Sequence, residues 1–106
     1  MIDPQLKRGL LEICVLAVLN NSDSYGYKII QDLQGHVEIS ESTLYPILRR
    51  LQASGSLTEY SVAHNGRLRK FYRITDDGRK QIAEFIFNWT EVEKMFDFIK
   101  EGYGNE

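Results

Sequence analysis

Apolar residues recur along this chain with two different periods, and the periods predict where helices and strands lie. From Leu10 to Leu19 nearly every position is apolar, and only Glu12 breaks the run. A helix from Gln5 to Asn20 with so wide an apolar surface is expected to sit between layers rather than on the outside. Asn20-Asn21-Ser22-Asp23 is a turn cluster. Ser24 is the expected N-cap of a second helix from Tyr25 to about Gln34, with Ile29, Ile30 and Leu33 buried and Gly35 closing it. Gly26 in its first turn costs about 1 kcal/mol relative to alanine, which close packing against a neighbouring helix would explain. In the next segment Leu44, Ile47, Leu48 and Leu51 fall at i, i+3, i+4 and i+7, the buried stripe of a third helix. Pro46 costs about 3 kcal/mol in a helix interior and far less near the first turn, so this helix is expected to begin close to Ser40 or Ser42.

Past Ser54-Gly55, which end the third helix, the period changes to two. Leu57 to Ala63 alternates like a strand, and Leu68 to Ile74 does so again. Between them lies His64-Asn65-Gly66-Arg67. Asn-Gly at the centre of a two-residue loop signals a tight hairpin, because a type I′ turn needs two residues that tolerate positive φ. That turn pairs Tyr60 with Phe71, Val62 with Arg69 and Leu57 with Ile74. The outer face of the third helix carries Ser42, Thr43, Tyr45, Arg49 and Arg50, and the hairpin tip carries Arg67, Arg69 and Lys70 beside His64. Hydroxyls near a helix start reach base edges or phosphates, and arginines hold phosphates or read guanine. A helix, a tight turn and a basic-tipped hairpin describe a winged helix-turn-helix.

Thr75 caps a last helix, with Asp76 and Asp77 in its first turn where carboxylates suit the helix dipole. It is expected to run to about Lys100. Ile82, Phe85, Trp89, Val92, Phe96, Ile99 and Tyr103 recur at alternating spacings of three and four, the seam of a helix lying along another helix. Phe87, Met95 and Phe98 make it apolar on a second side as well. One short winged domain cannot cover so much surface, so a twofold homodimer built from this helix and the first helix is expected; an intrachain helical hairpin is the alternative.

Composition sets the bounds. The 106 residues are 42% hydrophobic and 26% charged, the balance of one ordinary globular domain. The formal net charge of −2 argues against a uniformly basic DNA binder. Its distribution reverses that argument. Residues 42–75 hold Arg49, Arg50, Arg67, Arg69, Lys70 and Arg73 against Glu59 alone, while both flanking segments are acidic. The local field governs phosphate binding more than the total does, so modest, steeply salt-dependent affinity is expected. The single cysteine, Cys14, excludes an intrachain disulfide and is expected as a small core residue. Asp3 and Pro4 do not suit a secretory signal, and the apolar run is about half the ~20 residues of a membrane span. No membrane association and a cytoplasmic location are therefore expected. His36 and His64 lie in different elements, and no phosphate-cradling glycine loop or metal-ligand cluster is present. An enzyme is not expected, nor a metal or cofactor.

The run Leu44-Tyr45-Pro46-Ile47-Leu48-Arg49-Arg50-Leu51, then Gly55, then Arg69-Lys70-Phe71-Tyr72-Arg73-Ile74-Thr75-Asp76-Asp77-Gly78-Arg79, resembles the PadR family of bacterial transcriptional regulators, as does Tyr25-Gly26-Tyr27-Lys28-Ile29-Ile30. The resemblance covers essentially the whole chain and looks closest to the compact, multidrug-sensing branch. It implies a winged-helix dimer on an inverted-repeat operator in double-stranded DNA, commonly repressing a neighbouring gene. Ser42, Thr43, Tyr45, Arg49 and Arg50 match the recognition helix, and Asn65, Gly66, Arg67, Arg69 and Lys70 match the wing. Phe87-Asn88-Trp89 matches the place where multidrug-sensing relatives set a tryptophan facing its twofold mate, the paired rings stacking on flat aromatic ligands. The resemblance thus implies an interface and ligand set of Ile13, Phe85, Trp89, Val92, Glu93 and Phe96, with Glu93 attracting a cationic hydrophobic compound. A bulky Phe85 filling that space is the alternative.

The expected fold is mainly α with a small β-hairpin: a winged helix-turn-helix over residues 1–75 and a long C-terminal dimerisation helix over 76–106, in one compact unit. The expected function is a sequence-specific dimeric repressor. A winged helix that binds protein and a DNA-binding regulator without an effector are the alternatives.

Overall fold

The computed structural model describes residues 2–104. The described residues form α1 (Pro4–Asn21), α2 (Gly26–Leu33), α3 (Glu41–Ala53), β1 (Leu57–His64), β2 (Arg67–Ile74) and α4 (Asp76–Gly104). This is the winged helix-turn-helix with a long last helix that the apolar pattern predicts.

α1 is the centre of the packing, and it touches α2, α3, α4 and β2. Its Leu11, Val15, Leu16 and Leu19 meet Ile29 and Leu33 of α2, the Leu44, Ile47, Leu48 and Leu51 stripe of α3, and Leu57, Tyr72 and Ile74 from the strands in one core. Burying a leucine or isoleucine fully contributes about 1.5–3 kcal/mol, so this cluster is the main source of stability. Cys14 lies at its edge, half-buried rather than enclosed, with burial pushing its thiol pKa up.

The hairpin register pairs Leu57 with Ile74, Tyr60 with Phe71 and Val62 with Arg69, as alternation around Asn65-Gly66 predicts. Asn65 at φ 50° and Gly66 at φ 77° supply the two left-handed residues of the turn.

Two expectations change. Ser24 does not cap α2. Its backbone instead forms a short antiparallel bridge to β2: the Ser24 N–H donates to the Tyr72 carbonyl at 3.2 Å, and the Tyr72 N–H donates to Ser24 at 2.7 Å. The N-cap position falls to Tyr25, which makes no side-chain cap. The bridge pairs both backbone groups of Ser24 and leaves its buried hydroxyl without a partner among the described residues. The second change is in α4, which continues to Gly104 rather than ending near Lys100. Glycine is unfavourable in a helix, but at a terminus few hydrogen bonds depend on it. The third helix does start where expected, at Glu41 between Ser40 and Ser42, and Pro46 falls in its second turn, which forgoes one backbone hydrogen bond.

The start of α4 is tied tightly to the wing. The Thr75 hydroxyl donates to the Gly55 carbonyl at 2.6 Å and accepts from the Gly78 N–H at 3.1 Å, the cap predicted from sequence. A Cβ at Gly78 would run into the Ser56 carbonyl oxygen and the Ile74 side chain, whereas Gly102 has open space around it. Gly78→Ala should therefore lower the melting temperature by several degrees, and Gly102→Ala should leave it level or slightly higher. Thermal unfolding followed by circular dichroism checks both.

Candidate nucleic-acid interface

Because α3 must bury Leu44, Ile47, Leu48 and Leu51, helical geometry turns Ser42 and Arg49 directly outward. Tyr45 lies on one flank of that exposed face, and Thr43 and Arg50 on the other. At the helix start the hydroxyls of Ser40, Ser42 and Thr43 hydrogen-bond among themselves at 3.0 and 3.2 Å. These weak mutual bonds exchange readily for bonds to a base edge or phosphate.

Tyr45 leans back over α2. A Cβ on Gly26 would come within 2.5 Å of its hydroxyl, so the glycine makes room for the ring. The close approach that Gly26 suggested is thus to a side chain on the third helix, and Tyr45 keeps 38% of its surface exposed. Arg50 is turned toward α1, where its Nε donates to Glu12 at 2.9 Å. Arg49 carries no such ion pair among the described residues.

The wing is braced on its other face. The Tyr60 hydroxyl donates to Asp23 Oδ2 at 2.6 Å, and Arg73 Nε donates to the same oxygen at 3.0 Å. These two bonds, Tyr60 first, hold the Asp23 carboxyl below the ordinary aspartate pKa. The ring of Tyr60 stacks on Phe71 at 5.7 Å, Phe71 meets Tyr25 edge-on at 5.3 Å, and the Arg69 guanidinium sits 4.2 Å from the Tyr25 centroid. A continuous row of contacts therefore links the α1–α2 turn to the basic half of the hairpin. Beyond it, His64, Asn65, Gly66, Arg67 and Lys70 are exposed.

The ion pairs sort the basic residues. Arg50, Arg73, Lys28, Arg79 and Lys100 are each paired with a carboxylate. Arg49 of α3 and Arg67, Arg69 and Lys70 of β2 have no carboxylate partner among the described residues, nor do Lys7, Arg8, Lys80 and Lys94 elsewhere, and Arg69 and Lys70 line one cleft with Tyr45 of α3. That surface has a vacancy for negative charge.

A family model described as the transcriptional regulator PadR-like family matches residues 15–84. The chain belongs to the PadR-like family of transcriptional regulators. A transcriptional regulator of Mycobacterium tuberculosis is 32% identical over 81 residues, 76% of each chain. A solved transcriptional regulator from Clostridium thermocellum superposes with a TM-score of 0.81 at 29% identity, over 92% of this chain and 96% of that one. Bacillus subtilis PadR, solved in complex with operator DNA, shares the fold at a TM-score of 0.69 and 22% identity, over 73% of this chain and 46% of that one. PadR-like membership makes the chain a regulator rather than an enzyme. No helix among the described residues is long and apolar enough to cross a membrane.

The expected interface residues of this PadR-like regulator fall into two adjacent sets. Ile13 and Phe85 line a groove of about 370 Å³ between α1 and α4. Trp89, Val92, Glu93 and Phe96 line an open apolar depression of about 400 Å³ farther along α4. Phe85 and Trp89 stack at 5.6 Å and nearly parallel, which joins the two sets. From residue 91 onward α4 is exposed throughout, so the intrachain helical hairpin does not form.

Sequence reasoning missed Asp23 and Tyr25. Asp23 lies in no motif and the motif holding Tyr25 assigns it no role; each acts through residues about forty positions away, which periodicity cannot detect. The Asp23 bonds carry a pH dependence. A depressed folded-state pKa contributes stability that is present above the unfolded aspartate value and lost as pH falls through the folded one. Asp23→Asn should thus be less stable than wild type near neutral pH, with the gap closing as pH falls below about 3.8. Urea denaturation across that range checks it.

Proposed function

We propose that this PadR-like regulator is a homodimeric, sequence-specific repressor that binds an inverted-repeat operator with α3 in the major groove and the hairpin on the backbone or in the minor groove. The observation that carries the reading is that α3 and β2 meet at one cleft, lined by Tyr45, Arg69 and Lys70, and that Arg49, Arg67, Arg69 and Lys70 of these two elements have no carboxylate partner among the described residues. Ser42, Thr43, Tyr45 and Arg49 supply base and phosphate contacts. Asn65, Gly66, Arg67, Arg69 and Lys70 form the wing contact. Arg50, held by Glu12, orients α3 against α1 and offers its remaining N–H groups to phosphate. Residues 1–75 thus serve as the DNA-reading part and 76–106 as the dimerisation helix.

Dimerisation follows from the unpartnered half of α4, where Val92, Phe96, Ile99 and Tyr103 extend the seam into solvent. An apolar helix face of that length is stable when a second copy covers it. Two recognition helices then sit about one helical turn apart, ~34 Å, to engage both half-sites. Replacing Val92 and Phe96 together by glutamate should convert the dimer to a folded monomer, measured by sedimentation equilibrium.

The dimer responds to a hydrophobic, aromatic or cationic compound held between paired α4 helices at Trp89, with Ile13, Phe85, Val92, Glu93 and Phe96 around it. A compound there alters the spacing of the recognition helices by rigid-body motion, and the coupling between ligand and DNA is reciprocal. The Phe85–Trp89 stack favours a second reading, a regulator with no effector, because the rings already occupy each other's faces. Titration with planar cationic dyes while following tryptophan fluorescence separates the two. Saturable quenching supports the sensor, and its absence supports the regulator without effector.

Fluorescence anisotropy against DNA from upstream of the regulator's own gene, with scrambled DNA beside it, tests the main reading. Selective binding is the expected result, with Arg49→Ala and Arg67→Ala each raising Kd roughly tenfold, about 1.4 kcal/mol, while the dimer stays intact. Unchanged affinity in both variants would favour a winged helix that binds protein.

A further inference from the structure

Between α2, Tyr45 of α3 and the outer edge of β2 lies a cleft of about 650 Å³ lined by Tyr25, Tyr27, Tyr45, Arg69 and Lys70. Its origin is the Ser24–Tyr72 bridge. That bridge covers the edge of β2 only at Tyr72, and two residues toward the tip the strand has no neighbour. In an antiparallel ladder the N–H groups of alternate residues point to the same side, so the Lys70 N–H faces the same open edge as that of Tyr72. Because the cleft meets β2 edge-on, side chains from both strand faces reach it, Arg69 from one and Lys70 from the other.

The electrostatics are one-sided. No acidic residue lines the cleft, and neither of its cations has a carboxylate partner among the described residues. Arg69 stacks on Tyr25 at 4.2 Å, and stacking occupies the face of the guanidinium while its in-plane N–H donors stay available. Tyr27 is exposed, and neither its hydroxyl nor that of Tyr45 has a hydrogen-bond partner among the described residues.

We propose that this cleft seats a backbone phosphate of the bound DNA strand where it passes from the recognition helix to the wing. Arg69 and Lys70 supply the charge, and the Tyr27 hydroxyl donates a hydrogen bond. Tyr25 is a positioning residue: its ring holds the Arg69 guanidinium at the cleft wall without touching DNA. The inference rests on the DNA-binding reading above and adds Tyr25 and Tyr27 to it.

A phosphate contact acts on any sequence, so a mixed-sequence duplex at low salt is a sufficient probe. Full-length Tyr25→Leu, Tyr25→Phe, Arg69→Ala, the Tyr25→Leu/Arg69→Ala double variant and Tyr27→Phe are titrated by anisotropy over a range of salt. Arg69→Ala and Tyr25→Leu are each expected to weaken binding roughly fivefold and to lower the slope of log K against log salt by about one. The double variant is expected to bind no worse than Arg69→Ala alone, because Tyr25 acts only through Arg69. Tyr25→Phe keeps the ring and should bind like wild type. Tyr27→Phe should weaken binding roughly threefold with the slope unchanged, since it removes a neutral donor. A Tyr25→Leu loss that persists in the Arg69→Ala background, or a slope unmoved by Arg69→Ala, overturns the proposal. Arg49→Ala and Arg67→Ala lie outside the cleft and serve as controls. If they weaken binding while the cleft variants do not, the phosphate seat alone is wrong. If they too are silent, the DNA-binding reading falls with it.

Discussion

The surface of α3 that faces solvent is decided by the side that does not. Leu44, Ile47, Leu48 and Leu51 are each within 2% of full burial, and all four belong to the one core shared with α1, α2 and the strands. With that stripe pinned, Ser42 and Arg49 have only one direction available, and Tyr45 and Arg50 are forced onto opposite flanks. A rotation that turned Arg49 inward would expose several leucines and bury a charge, each costing several kcal/mol. The core is therefore also the aiming device of the recognition helix. Pro46 is tolerated within the same helix because the packing of its neighbours outweighs one missing backbone bond.

Charge pairing performs a second selection. An acidic chain can present a basic face because its carboxylates are placed to neutralise some arginines and not others. Asp23 takes Arg73 and Glu12 takes Arg50, and both pairs brace one element against another. Exposed ion pairs contribute little stability by themselves. Their larger consequence here is what they leave over within α3 and the hairpin: Arg49, Arg67, Arg69 and Lys70 stand without carboxylate partners among the described residues. Membership of the PadR-like family of transcriptional regulators agrees with that distribution.

α4 serves two environments along its length. Its first turns are tied to the wing by Thr75 and by the close approach at Gly78. Its second half carries Phe96, Phe98 and Tyr103 into solvent in a single copy, with Tyr103 84% exposed. In the proposed dimer, the Thr75 bond and the packing of α4 on α1 are the route by which a displacement of its free half would reach the wing and α3.

The sequence by itself determined the elements, their order and the hairpin register, because each depends on local periodicity or on turn chemistry confined to a few neighbouring residues. Leu57 opposite Ile74 follows from Asn65-Gly66 and alternation alone, and the Thr75 cap and the α3 stripe are equally local. It also located the basic segment, since charge density is legible without coordinates. Tertiary structure alone decided which members of that segment are available. Arg49 and Arg50 are indistinguishable neighbours in sequence, yet a 100° step around the helix turns one to solvent and the other to Glu12, about forty residues away. Ser24 reads as a cap and becomes a strand partner, and Tyr25 reads as a helix start and becomes the platform for Arg69. These roles depend on contacts between segments distant in sequence, and such contacts exist only after the core has closed.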